Sequence, residues 1–154
     1  MSSNCIIGPY FFDNDTVNGL DYLKMLKEYF HPILVRKRIV QRIIFQQDGA
    51  PPHYLTEVRT WLNQKFQGKW IGRRGAIEWA PRSPDLTPLD FFLWGYLKQK
   101  VYSKPVKDLE ELRQRIKDHV QLIESDTLES TFFNIEKRLL LIKETGGGHI
   151  EQLL

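Results

Sequence analysis

Along the chain, short runs of apolar residues alternate with segments in which apolar residues recur every three or four positions. Residues 5–12, 43–45, 69–71 and 76–79 are apolar runs that predict short strands. Gly8 and Pro9 interrupt the first run, which favours an edge strand or a bulge. The second run leads directly into Asp48, and the Gly and Pro residues that follow end it. Asp48 is therefore predicted at the carboxyl end of a strand, where open α/β sheets place their ligands.

Apolar residues at helical spacing predict five further segments. These cover about residues 20–30 (ended by Pro32), 57–66, 89–102, 109–123 and 128–142. In the 57–66 helix one stripe faces the core, formed by Val58, Trp61, Leu62 and Phe66. In the 128–142 helix the predicted stripe is Leu128, Phe132, Ile135, Leu139 and Ile142, and Ser125 with Asp126 is the expected cap. Strands alternating with helices predict an α/β fold.

Composition excludes several classes of protein and indicates the cellular compartment. The chain has 154 residues of which 42% are hydrophobic, enough for one domain with a core, and its 19 aromatic residues exclude a disordered chain. The lone Cys5 excludes an internal disulfide framework and fits a reducing compartment. No apolar run is long enough to span a membrane and no signal peptide is visible, so a cytosolic or nuclear protein is expected. The net charge of +3 permits nucleic-acid binding without requiring it.

Asp48 and Asp90 are the strongest candidates for chemistry. Asp90 follows a proline-rich loop and starts a helix, so it and Asp48 can converge on a divalent cation that prefers carboxylate oxygens. The alternative is that each acid is a turn residue. His53 has two open roles, capping the next helix or orienting a ligand. The other histidines, His31, His119 and His149, are too far apart in sequence to suggest a metal site.

Two motifs carry a resemblance to a known family. Residues 45–53 read FQQDGAPPH and residues 83–94 read SPDLTPLDFFLW. Together they resemble the catalytic core of mariner-like DNA transposases of the DDE superfamily, and the resemblance covers nearly all of the chain. It implies an RNase H-like fold with C-terminal helices, and an acidic triad that binds two Mg²⁺ or Mn²⁺ ions for DNA cleavage and strand transfer. Asp48 matches the second acid and Asp90 the third, which leaves Asp85 as a turn or cap residue.

The sequence also departs from this family. The family's first acid lies on a strand upstream of the segment that resembles residues 6–12, and Asp13 and Asp15 do not match it. The resemblance therefore implies that residues 1–154 are a partial catalytic domain, without the first two strands and without the N-terminal helix-turn-helix region. Such a chain is expected to be inactive alone. It is also expected to be marginally stable, or to place residues 6–12 outside their usual position in the sheet.

The resemblance implies DNA as the partner, a nuclear location and a possible homodimer. Arg73 and Arg74, in a hairpin expected across residues 68–75, are expected to contact phosphate together with Arg82 and Lys98. An alternative function is a non-catalytic nucleic-acid-binding or interaction module derived from a transposon, which would bind DNA without cleaving it. A weaker alternative is an inert product that never folds.

Overall fold

The computed structural model of the protein describes residues 1–79, 83–148 and 150–154, without the side chain of Glu151. The chain forms two compact units. The sheet unit comprises Tyr10–Arg82, and the helical unit comprises Met1–Pro9 with Ser83–Leu154. In the described part of the chain, no helix has the length and apolar character needed to cross a membrane.

The sheet unit begins with a helix that passes through a proline. Helix α1 (Gly19–Met25) continues through a π-helical turn (Leu26–Phe30) into α2 (His31–Arg36). The prediction that Pro32 ends this helix is wrong. The N–H of His31 bonds to the carbonyl of Leu26, five residues back. This wider turn accommodates Pro32, which has no N–H to donate.

A small parallel sheet forms the middle of this unit. Its strands are β1 (Phe45–Gln46), β2 (Trp70–Gly72) and β3 (Ile77–Glu78), in the order β1-β2-β3. Strand β1 therefore has one strand neighbour among the described residues.

The hairpin expected across residues 68–75 is wrong, because β2 and β3 run parallel. Between them lies a tight loop, in which the N–H of Gly75 donates to the carbonyl of Gly72 and Arg74 has a φ of 58°. This loop returns the chain so that Ile77 lies beside Ile71.

Helix α3 (Thr56–Phe66) crosses from β1 to β2 and supplies much of the core. The four residues of its predicted stripe, Val58, Trp61, Leu62 and Phe66, are all buried. Phe45 of β1 stacks on Phe66 with ring centroids 5.3 Å apart. Burial of each large apolar side chain contributes about 1.5–3 kcal/mol, so α3 fixes the position of the strand that precedes Asp48.

The helical unit contains a π-helical turn (Leu89–Leu93) that leads into α4 (Trp94–Val101), followed by α5 (Leu109–Gln121) and α6 (Ser125–Glu144). Its core includes a buried cluster of Leu93, Leu97 and Val120. Arg115 of α5 closes the end of α4, because its guanidinium donates to three backbone carbonyls, those of Val101, Lys104 and Pro105.

The N-terminal segment differs from its prediction. Residues 5–12 form no strand, and Ile6 instead packs against the Leu93, Leu97 and Val120 cluster. The run is interrupted where Gly8 adopts a φ of 121° and Pro9 has no N–H to contribute to a ladder.

Helix α6 also differs from its prediction. Leu139, expected in the buried stripe, is 50% exposed, whereas its neighbour Arg138 is buried. The predicted cap is wrong as well, since Ser125 is the first helical residue and Glu124 occupies the cap position without a side-chain hydrogen bond. The spacing of apolar residues did not predict that position 138 is buried, because arginine is not an apolar residue.

Candidate metal-binding site

Asp48 lies just beyond the end of β1, as its position in the motif predicts. Its Oδ1 accepts a hydrogen bond from the N–H of Ala50 at 3.0 Å, which forms an Asx turn. Nδ1 of His53 lies 2.5 Å from the same oxygen, and the Asp48 side chain is 49% exposed. Oδ2 has no hydrogen-bond partner in the part of the chain that the structure describes. One carboxylate oxygen is thus anchored, and the side chain as a whole is half-exposed.

The local electrostatics keep Asp48 ionised. The close contact of the His53 imidazole with Oδ1 lowers the pKa of the Asp48 carboxyl below its ordinary value, and the N–H of Ala50 and the charge of His53 act in the same direction. Burial opposes them but is outweighed. Ionised carboxylate is the form that binds metal, so the chemistry of Asp48 fits a hard divalent cation such as Mg²⁺.

His53 is held in place from two sides. Its ring packs on Tyr22 with centroids 4.4 Å apart. Its backbone carbonyl accepts a hydrogen bond of 2.7 Å from Nε2 of Gln47. The hydroxyl of Tyr22 in turn donates to Oε1 of Gln47 at 3.1 Å. These contacts connect α1 to the turn that carries Asp48.

The contacts of His53 decide between its two open roles. Helix α3 has Leu55 at its cap position and no side-chain cap, so the helix-capping role is wrong and His53 contacts Asp48 instead. Neither Tyr22 nor Gln47 was predicted to help position His53 beside Asp48. The signal for Gln47 was its place between the end of β1 and Asp48, inside the first motif. Nothing in the sequence marked Tyr22, whose pKa is raised by burial and by the charge of Asp48, so that its hydroxyl stays a neutral donor.

A basic and aromatic cluster lies near the Asp48 turn. The guanidinium of Arg73 is 4.3 Å from the centre of the Tyr54 ring, and that of Arg74 is 5.8 Å away. A Cβ atom on Gly49 would lie 3.6 Å from the Arg73 side chain, so Arg73 runs alongside the turn. The carboxylate of Glu78 accepts from the N–H of Arg74 at 3.0 Å. Arg73 and Arg74, which are predicted to contact phosphate, therefore lie in the same unit as Asp48.

Asp90 lies in the helical unit, on the π-helical turn that precedes α4. Its side chain is exposed, and its N–H donates to the carbonyl of Thr87 at 2.9 Å. Asp85 is buried in the 3₁₀ turn Pro84–Leu86, in agreement with its predicted role as a turn residue. The convergence of Asp48 and Asp90 on a shared metal stays a prediction.

Among the solved structures with the same fold are three of Mos1 transposase. The Mos1 catalytic domain with raltegravir and Mn aligns with a TM-score of 0.83 and 22% identity, over 97% of this chain and 74% of that chain. The same domain with raltegravir and Mg gives 0.76 and 20%, over 90% and 67%. The Mos1 mariner paired end complex with Mn gives 0.74 and 23%, over 88% and 38%. The chain has the fold of a mariner transposase catalytic domain. Neither models of protein families nor curated proteins match the sequence.

The likeness to the Mos1 catalytic domain confirms the predicted α/β, RNase H-like fold. Lys98 is exposed on α4, in the helical unit. Arg82, the remaining predicted DNA contact, lies outside the described residues, as does His149. Within residues 1–79, 83–148 and 150–154, no group of three or more His, Cys, Asp or Glu side chains is arranged to hold a metal ion.

Proposed function

We propose that the chain is part of the catalytic domain of a mariner-like transposase, a class of enzyme that cleaves and joins DNA with Mg²⁺ or Mn²⁺. The observation that carries the proposal is the fold match to a transposase catalytic domain solved with Mn, with a TM-score of 0.83 over 97% of this chain. The anchored, ionised carboxylate of Asp48 at a strand end supports it, since such an acid suits a hard cation.

Each site residue has a role in this proposal. Asp48 and Asp90 are two of the metal-binding acids, and His53 keeps the Asp48 carboxylate in one orientation. The metal ions, when bound, would stabilise the attacking and leaving oxygens of a phosphodiester during displacement. The basic residues proposed to contact DNA phosphates, and so to position the substrate without reading its sequence, are Arg73, Arg74, Arg82 and Lys98.

The 154-residue polypeptide alone is proposed not to cleave DNA. The family resemblance places the first acid of the triad upstream of residue 6, and loss of one group that stabilises transition-state charge costs about 10²–10³ in rate or more. A plasmid-nicking assay with Mn²⁺ tests this directly. Cleavage that disappears in Asp48→Ala would show that the polypeptide assembles a complete site and would contradict the proposal.

A metal titration tests the paired role of the two acids. Calorimetry with Mg²⁺ and Mn²⁺ compares the unmodified protein with Asp48→Ala and Asp90→Ala. Binding should be lost in both variants, because each removes a ligand of a shared site. Asp126→Ala, which removes an exposed acid of α6, is the matched control and should bind as the unmodified protein does. Loss of binding in only one variant would show that the two acids do not act together.

A non-catalytic DNA-binding module is the second candidate function. It is favoured by the cluster of Arg73 and Arg74 around Tyr54, since these contacts require no metal. Salt-dependent DNA binding without any cleavage, unaffected by Asp48→Ala, would favour this function over the first. A nuclear location and a homodimer are further proposals that follow from a transposase origin, and they are tested by a fluorescent fusion and by sedimentation equilibrium.

A further inference from the structure

Arg138 is a buried charge on the last long helix of the chain. It is only 9% exposed, although arginine is rarely buried without partners. Its guanidinium lies 4.0 Å from the centre of the Phe91 ring, a cation–π contact. Its Nη1 also donates a hydrogen bond of 3.0 Å to the backbone carbonyl of Asp85. Both partners belong to the segment that carries Asp90.

Asp85 and Phe91 lie on either side of one short loop. Asp85 is in the 3₁₀ turn Pro84–Leu86, and Phe91 is in the π-helical turn next to Asp90. Between them the carbonyl of Thr87 accepts hydrogen bonds from the N–H groups of Asp90 and Phe91, at 2.9 and 3.0 Å. A single side chain from α6 thus fixes both the entry and the exit of the turn that sets the direction of Asp90.

The C-terminal segment reinforces the same turn. The N–H of Ile150 donates to Oδ2 of Asp85 at 3.2 Å, and the Ile150 side chain is fully buried. The carboxylate of Asp85 is therefore committed to the packing of the helical unit, whereas Asp90 is exposed. A buried, hydrogen-bonded acid is poorly placed to take up a metal, so the task of Asp85 in the helical unit is structural.

We propose that Arg138 is a positioning residue for Asp90. It holds the segment of residues 84–91 in one conformation, so that the Asp90 carboxylate is presented to a divalent cation in a fixed direction. The inference rests on the proposed function for the identity of the ligand, but the ordering of the segment by Arg138 is independent of it. Neither sequence motif contains Arg138, which lies 53 residues from Asp85.

The test compares Arg138→Met, Arg138→Lys and Phe91→Leu with the unmodified protein. Lys137→Met is the matched control, because it removes one exposed positive charge at the adjacent position of α6. Two quantities are measured in each protein: amide hydrogen exchange along the chain and the affinity for Mn²⁺. Phe91→Leu removes the ring but keeps an apolar side chain, so it carries the test if Arg138→Met does not fold.

In Arg138→Met, exchange is expected to quicken at residues 86–92 while α4 and α5 keep their protection. Mn²⁺ affinity should fall about 10- to 100-fold, the usual effect of removing a group that orients a metal ligand. Phe91→Leu should act in the same direction, Arg138→Lys should restore part of both quantities because it keeps the charge, and Lys137→Met should change neither.

Two results would overturn the inference. One is unchanged exchange at residues 86–92 in both Arg138→Met and Phe91→Leu. The other is an equal rise in exchange throughout the helical unit, which would make Arg138 a general stability residue. If the unmodified protein binds no Mn²⁺, the proposed function fails, whereas the exchange pattern still decides whether Arg138 orders the Asp90 segment.

Discussion

At Asp48, two opposing effects act on one carboxylate. Burial disfavours the charged form, while the contact with His53 and the hydrogen bond from Ala50 favour it, and the outcome is a pKa below the ordinary value. Because the hydrogen bond from Ala50 and the contact with His53 both involve Oδ1, they fix the orientation of the group without occupying Oδ2. His53, through Gln47 and Tyr22, connects this carboxylate to α1.

Replacing His53 by alanine should raise the pKa of Asp48. The contact with His53 is the largest cause of the lowered value, so its loss should return the pKa towards the ordinary value of about 3.9. Carboxyl ¹³C chemical shifts followed through a pH titration measure this. His119→Ala, in the helical unit, is the control and should leave the titration of Asp48 unchanged. An unchanged titration in His53→Ala would show that the histidine does not interact with the carboxylate.

The same shift predicts a pH dependence of stability. Since the pKa of Asp48 is lower in the folded state, its ionisation stabilises the fold at pH values above the unfolded pKa of about 3.9, and this contribution is lost as the pH falls through the folded pKa. The side chain is half-exposed, so the contribution should be below about 1 kcal/mol. In urea unfolding, Asp48→Asn should therefore be less stable than the unmodified protein at pH 6, and the difference should shrink below pH 4.

At the scale of single elements, α3 is determined by its own periodicity. Its apolar residues recur at intervals of three and four, and all four are buried as predicted. In α6 the same reasoning is wrong by one position, because Arg138 takes the buried place expected for Leu139. The difference is physical. An apolar side chain is buried wherever the packing allows, whereas a buried arginine requires the particular partners that Asp85 and Phe91 supply.

Shortening a buried side chain of α3 should destabilise the folded protein. Leu62→Ala should lower the free energy of unfolding by about 2–5 kcal/mol, because the residue is fully buried and leaves a cavity. Leu20→Ala is the matched control in the same unit, since Leu20 is 61% exposed, and it should change stability by at most about 0.5 kcal/mol. Urea denaturation of the three proteins measures both. Equal effects of the two substitutions would show that α3 does not pack as described.

At the scale of the whole molecule, the two compact units divide the predicted site residues between them. Asp48, Arg73 and Arg74 belong to the sheet unit, and Asp90 and Lys98 to the helical unit. Each unit supplies one candidate acid and at least one candidate phosphate contact. The net charge of the chain is only +3, so binding to DNA would depend on the local placement of these basic residues rather than on overall charge.

DNA binding should therefore depend on Arg73 and Arg74. In the double variant Arg73→Ala/Arg74→Ala, binding to a DNA duplex should weaken, and the slope of log K against log salt concentration should decrease by about 2, since each phosphate contact contributes about 0.9. Fluorescence anisotropy over a salt series measures the slope. Lys137→Ala/Lys143→Ala, on exposed positions of α6, is the charge-matched control. If the two double variants weakened DNA binding equally, binding would depend on the general positive charge of the protein and not on contacts made by Arg73 and Arg74.

The sequence by itself determined the features that depend on neighbouring residues. The strand that leads to Asp48 and the buried stripe of α3 follow from apolar spacing, which acts over a few positions. The role of Asp85 as a turn residue followed from the family resemblance, which assigned the metal-binding role to Asp90. The two motifs also carried the fold, which the likeness to the Mos1 catalytic domain confirms.

Only the tertiary structure decided which distant side chains meet. Tyr22 reaches Gln47 across 25 residues, and Arg138 reaches Asp85 across 53. It also decided that β3 runs parallel to β2 and that Ile6 packs with the helices rather than in a strand. The physical reason is that hydrogen bonds, cation–π contacts and strand direction depend on how elements pack in space, and the spacing of residues along the chain does not specify that packing.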